Sequence, residues 1–117
     1  MDTESRALRA DLLRRRDETA AEAVALEGDL RSLFEASRSS NADDEHDPEG
    51  STIAFERAQL SAVLDATRRR LAELDEAVSR VDDGSYGICE RCRRPIPADR
   101  LAARPSARTC VACASRR

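Results

Sequence analysis

From Ile53 to Val81, the positions 53, 57, 60, 64, 67, 71, 74, 78 and 81 advance by four and three residues in turn. Apart from Arg57 and Thr67 they hold Ile53, Leu60, Leu64, Leu71, Leu74, Val78 and Val81. Spacing of this kind keeps one apolar stripe of a helix turned toward a partner helix, which is the mark of a coiled coil. The N-terminal part repeats the pattern less regularly: Leu12, Thr19, Leu26 and Leu33 recur every seven residues, with Leu8, Ala23, Leu30 and Phe34 alongside. Two amphipathic helices of similar length are expected, at about 3–37 and 51–82. Composition agrees, since charged residues make up 37% of the chain and aromatics 3%. That is too polar for a large globular core, but rich in Ala, Leu, Arg and Glu, which lose little side-chain entropy in a helix.

Between the helices stands "SRSSNADDEHDPEG", residues 37–50. Its Ser, Asn, Asp, Pro and Gly residues form turns. A connection this short folds two helices back as an antiparallel hairpin, each burying its stripe against the other. About thirty residues per helix at a ~1.5 Å rise give a rod of roughly 45–50 Å with an acidic tip loop at about 38–50. The tip has two readings. Asp47, Pro48 and Glu49 suit an N-cap, a first helical turn and a favourable charge at the positive end of the second helix, while Asp43, Asp44 and Glu45 keep a turn solvated. The same carboxylates also suit contact with a partner's basic residues or a metal ion. A calcium loop of the EF-hand type is excluded, because Pro48 occupies the position that requires Gly. His46, the sole histidine, reads as a solvated turn residue.

All four cysteines lie in residues 86–113, as Cys89-x-x-Cys92 and Cys110-x-x-Cys113 with 17 residues between the pairs. That spacing is the one expected of a four-cysteine zinc site: each pair sits on a tight turn that aims two thiolates at one point, and two turns complete a tetrahedron. Four protein ligands leave no position for water or substrate, so one structural zinc ion is expected. The metal stands in for a core in a module whose main bulky aliphatics are Ile88, Ile96, Leu101 and Val111. Disulfides suit oxidising compartments, and the acidic amino terminus lacks the apolar run of a secretory signal. A cytoplasmic protein is therefore expected, without a membrane segment.

Charge divides at the same place. Residues 1–83 carry a net −9 and residues 84–117 a net +6, falling to about +4 with four thiolates and one zinc. The domains expected are a hairpin of 1–83 and a finger of 84–117. An Arg-rich finger attracts phosphates or an acidic protein surface, but Tyr86, its one aromatic, makes a poor stacking platform for single strands. No nucleophile with a base, open metal position or phosphate-binding glycine loop is evident, so an enzyme is not expected.

From Cys89-Glu90-x-Cys92 through Ile96, Arg100 and Pro105 to Cys110-x-x-Cys113, with "DDGSYG" before and "RLAARP" within, the finger resembles the DksA/TraR family of C4-type zinc-finger proteins. The resemblance implies an all-α fold, an antiparallel coiled-coil hairpin with a small C-terminal four-cysteine zinc finger at its base. It implies a monomeric regulator that inserts the hairpin into the secondary channel of bacterial RNA polymerase. The tip residues Asp43, Asp44, Glu45 and Asp47 would contact the enzyme, and no DNA sequence would be read. The family's tip carries Asp-x-x-Asp-x-Ala; here Asp47 is followed by Gly50 and Thr52, and the pair Asp44 and Asp47 lacks the Ala. Ala114 replaces a basic residue of members responsive to ppGpp, so synergy with that alarmone is not expected. The alternative is an Arg-rich finger that binds nucleic acid or adapts another protein without a polymerase role.

Overall fold

The computed structural model describes residues 1–40 and 48–116, with side chains described for 1–38 and 51–116. It is all-α: helices α1 (Thr3–Ser40), α2 (Pro48–Asp83), α3 (Ala98–Ala103) and α4 (Val111–Ala114) follow in order. The only β feature among the described residues is an isolated antiparallel bridge between Ile88 and Pro95. Helix α1 runs three residues past the expected 37, through serines that cost only a few tenths of a kcal/mol each in a helix, with Arg38 complementing the dipole in the last turn. Helix α2 starts at Pro48, whose fixed φ and missing N–H suit a first helical position. No helix among the described residues is long and apolar enough to cross a membrane.

The chain forms two compact units, Met1–Asp17 with Leu71–Arg117, and Glu18–Arg70. In the first, α1 and α2 run antiparallel, fastened by ion pairs from Arg9 to Asp82 at 2.7 Å and from Arg16 to Asp75 at 2.8 Å. Leu12, Leu74, Ala77, Val78 and Val81 form its core, with Leu8, Leu13 and Tyr86 packed against them. In the second, the helices are again antiparallel, with Arg70 on Glu22 at 2.9 Å and Arg68 on Glu27 at 3.0 Å. Ala23, Leu64, Thr19 and Thr67 are buried there. The Thr67 hydroxyl donates back to the Val63 carbonyl at 2.8 Å, which satisfies it within its own helix.

Every position of the expected α2 seam is buried or half-buried, Arg57 and Thr67 included. Phe34 departs from expectation: it is 48% exposed, and the Arg57 guanidinium lies 4.7 Å from its ring centroid. The ring sits at the flank of the stripe, where a cation over its face replaces core burial.

Candidate metal centre

Helix α2 ends where Gly84 takes a left-handed φ of 82°, a conformation that costs an L side chain about 1 kcal/mol or more. The Ser85 and Tyr86 N–H groups then donate to the Arg80 carbonyl at 2.9 and 3.1 Å. Asp83 accepts from the Ser85 hydroxyl and N–H, and these bonds lower its pKa. Tyr86 packs on the helix core, and its hydroxyl donates to the Pro105 carbonyl at 2.6 Å. Burial raises the phenol's pKa and keeps it a donor.

The first cysteine pair sits on a tight turn. Gly87 also has a φ of 82°, and its carbonyl accepts from the Ile96 N–H at 2.7 Å. Across the loop Cys89 donates its N–H to the Arg94 carbonyl, and Arg93 donates to the Cys89 carbonyl, both at 2.9 Å. Arg93 holds a φ of 65° and is the only described non-glycine residue with positive φ. The second pair opens helix α4, with the Ala114 N–H donating to the Cys110 carbonyl at 2.9 Å. The Glu90 N–H donates to the Arg108 carbonyl at 3.0 Å, and Arg100 Nε to the Thr109 carbonyl at 2.8 Å, so the two turns face each other.

The sulfurs of Cys89, Cys92, Cys110 and Cys113 all lie within 4.8 Å of one another, and those of Cys92 and Cys110 are 3.9 Å apart. Thiolates at a Zn–S distance of about 2.3 Å form a tetrahedron with edges of about 3.8 Å, so the residues present fit a zinc ion. Backbone N–H groups prepare the sulfurs for charge. That of Cys92, followed by those of Cys110 and Arg91, bonds to Cys89 and lowers its pKa to about 6. The Cys113 N–H lowers Cys110 in the same way. Cys113 is pushed up to about 12 by Cys110, by burial and by the other two sulfurs. Four thiolates cannot gather there without a cation, and protons compete with the metal as pH falls. A bound zinc supplies that charge and joins the two turns.

The finger's aliphatics are divided. Ile96 is buried beside Cys89 and Cys113, with Leu101 packed against them. Ile88 and Val111, expected in this core, are instead 39% and 58% exposed, because a metal cluster needs few apolar contacts to hold its turns.

A contact missed by heptad reasoning joins the finger to α2. Glu73, Glu76, Ala77 and Arg80 form a stripe beside the seam at helical spacing. Arg108 pairs with Glu76 at 3.1 Å, Arg104 approaches Glu73 at 3.9 Å, and Arg80 donates to the Ser106 carbonyl at 3.4 Å. Ala77 has no exposed surface although it lies off the seam. Two acids flanking a small residue on a helix, with a basic loop downstream, were the available signal. The expected tip residues Asp43, Asp44, Glu45 and Asp47 lie outside the described residues, as does His46.

Comparison with known proteins follows the same division. Residues 84–117 match the prokaryotic DksA/TraR C4-type zinc finger, which takes one structural zinc ion. The chain is 44% identical over 52 residues to the RNA polymerase-binding transcription factor DksA of Caulobacter vibrioides, covering 44% of this chain and 37% of that protein. It is 36% identical over 72 residues to general stress protein 16O of Bacillus subtilis, covering 62% of this chain and 44% of that one. The chain thus spans less than half the length of these curated relatives. The structure of transcription factor DksA2 from Pseudomonas aeruginosa superposes with a TM-score of 0.78 at 29% identity, over 97% of this chain and 81% of that one. The likeness to DksA/TraR proteins thus extends from the thiol cluster, where the family's finger matches, through both long helices, where the fold matches that of DksA2.

Proposed function

We propose that this protein is an RNA polymerase-binding regulator of transcription. In this reading the hairpin of residues 1–83 enters the enzyme's secondary channel, and the finger of 84–117 stays outside as a brace. Cys89, Cys92, Cys110 and Cys113 hold the zinc, whose role is structural. Asp43, Asp44, Glu45 and Asp47 form the end that meets the polymerase. The observation that carries the reading is the likeness to DksA2 over 97% of the chain, helices and finger together. A zinc finger shared alone would not favour a channel-probing role over any other.

The rival reading, a finger that binds nucleic acid through its arginines, is weakened by where those arginines go. Arg91 donates to the Cys113 and Arg116 carbonyls, Arg100 to Thr109, and Arg104 and Arg108 face acids of α2. Four of the finger's seven described arginines are thus engaged within the protein. Action without ppGpp is part of the proposal, since exposed Ala114 in α4 offers no charge to an anion.

The test is transcription in vitro with purified core polymerase and its initiation factor, comparing the wild type with Asp44→Asn/Asp47→Asn. Altered promoter output with the wild type and a loss of that effect of at least about fivefold in the variant are expected. Identical output with and without the protein, together with no binding to core enzyme at low salt, would remove the polymerase role.

A further inference from the structure

The first cysteine turn contains a residue that its own conformation does not favour. Arg93 adopts a left-handed φ of 65°, which glycine takes without strain. No contact among the described residues explains the choice. Its side chain and that of Arg94 are exposed, and neither makes a hydrogen bond, ion pair or ring contact with any described residue. The other described arginines of the finger contrast with them, because all but Arg116 are engaged with carbonyls or carboxylates. Strain kept at an exposed, unengaged cation is the pattern of a residue retained for a partner.

The surroundings indicate which kind. Ile88 and Val111 leave 39% and 58% of their surface exposed on the same finger. Ile88 bridges to Pro95 at the base of the Arg93 loop, and Val111 follows Cys110, whose sulfur is 3.9 Å from that of Cys92. Exposed aliphatics on the finger that carries the unengaged arginines match the composition of a protein interface, in which arginine is enriched and the centre is apolar. Nucleic acid backbone would use neither aliphatic, and affinity for it needs more phosphate contacts than Arg93, Arg94 and Arg116 make.

We infer that Arg93 and Arg94, with Ile88 and Val111, form a docking surface for an acidic, partly apolar patch on a protein. Resting on the functional reading above, this assigns the surface to the polymerase, outside its channel. The guanidinium forks pair with carboxylates at the rim while the aliphatics lose water at the centre.

The experiment measures binding of the full-length, zinc-loaded chain to core polymerase across a salt series. Arg93→Gly/Arg94→Ser is compared with the wild type, and zinc content and melting temperature are recorded for both. The double variant should keep its zinc and melt no lower, yet bind about tenfold more weakly with a flatter salt dependence. Val111→Ser should weaken binding a few-fold with little change in that dependence. If the double variant loses metal, Arg94→Glu, at a position without positive φ, takes its place with the same expected loss. Equal affinity of wild type and folded variants overturns the docking surface and leaves the polymerase reading standing. No wild-type binding overturns both. Arginine-dependent retention of a 30-base-pair duplex (about three helical turns), with polymerase affinity unchanged, reassigns the arginines to phosphate and also overturns the proposal.

Discussion

The two compact units share a pair of helices and a heptad spacing, yet bury different things. In the unit of Met1–Asp17 and Leu71–Arg117, five aliphatic residues close into one core and a second cluster forms around Cys89, Ile96 and Cys113. In the unit of Glu18–Arg70 two of the four described buried residues are threonines, while Val24, Phe55 and Val63 remain 65%, 65% and 51% exposed. A heptad seam fixes which way two helices face, and its depth depends on side-chain volume and on what else folds over it. The finger adds a second layer to the first unit through the Glu73, Glu76 and Arg80 stripe, with no counterpart described in the second.

The strongest way to break this contrast is to take away the metal. Structural zinc contributes on the order of 10 kcal/mol in small finger peptides. Chelation, or Cys113→Ser, should unfold residues 84–117 and speed amide exchange across 71–83 by at least about tenfold. Exchange across 53–66 should stay unchanged, as hydrogen-exchange mass spectrometry would reveal. Equal acceleration in both segments would mean that the finger gives the first unit no extra stability.

Next comes the seam. Leu12 is fully buried, and Leu12→Ala should cost about 2–5 kcal/mol in urea unfolding. In the second unit Thr67→Val, which replaces a buried hydroxyl with a methyl of similar volume, should stabilise by about 0.5–1 kcal/mol. A destabilising result would show that the hydroxyl makes a needed contact beyond its bond to Val63. Arg93→Gly should raise the finger's stability by about 1 kcal/mol through relief of the left-handed backbone, measured as a higher chelator concentration for half-unfolding. The smallest effect is expected at Arg70→Ala, whose pairing with Glu22 is exposed on both sides and should change stability by no more than about 0.5 kcal/mol.

Much of this was legible in the residues. Alternating four- and three-residue steps named the buried face of α2 position by position, because a helix repeats its surface every 3.6 residues and water enforces that period. The cysteine spacing named the metal cluster, because two tight turns have few ways to place four sulfurs. Phe34 could not be assigned from the pattern, since a residue at the flank of a stripe can turn inward or meet a cation, and Arg57 decided it. Ile88 and Val111 failed for a related reason: apolar character predicts burial only when the core needs the volume, and here Ile96 and the clustered cysteines already fill it.

The sequence by itself determined the helical period, the antiparallel pairing and the cysteine set, all of which follow from local spacing. Only the tertiary structure decided that α2 carries a second contact stripe, that four of the finger's seven described arginines engage carbonyls or carboxylates of the protein, and that Arg93 bears an unfavourable backbone angle. Those outcomes depend on meetings between residues nine to thirty-two positions apart, or on the closing geometry of a loop. Neither is encoded in the period of any one segment.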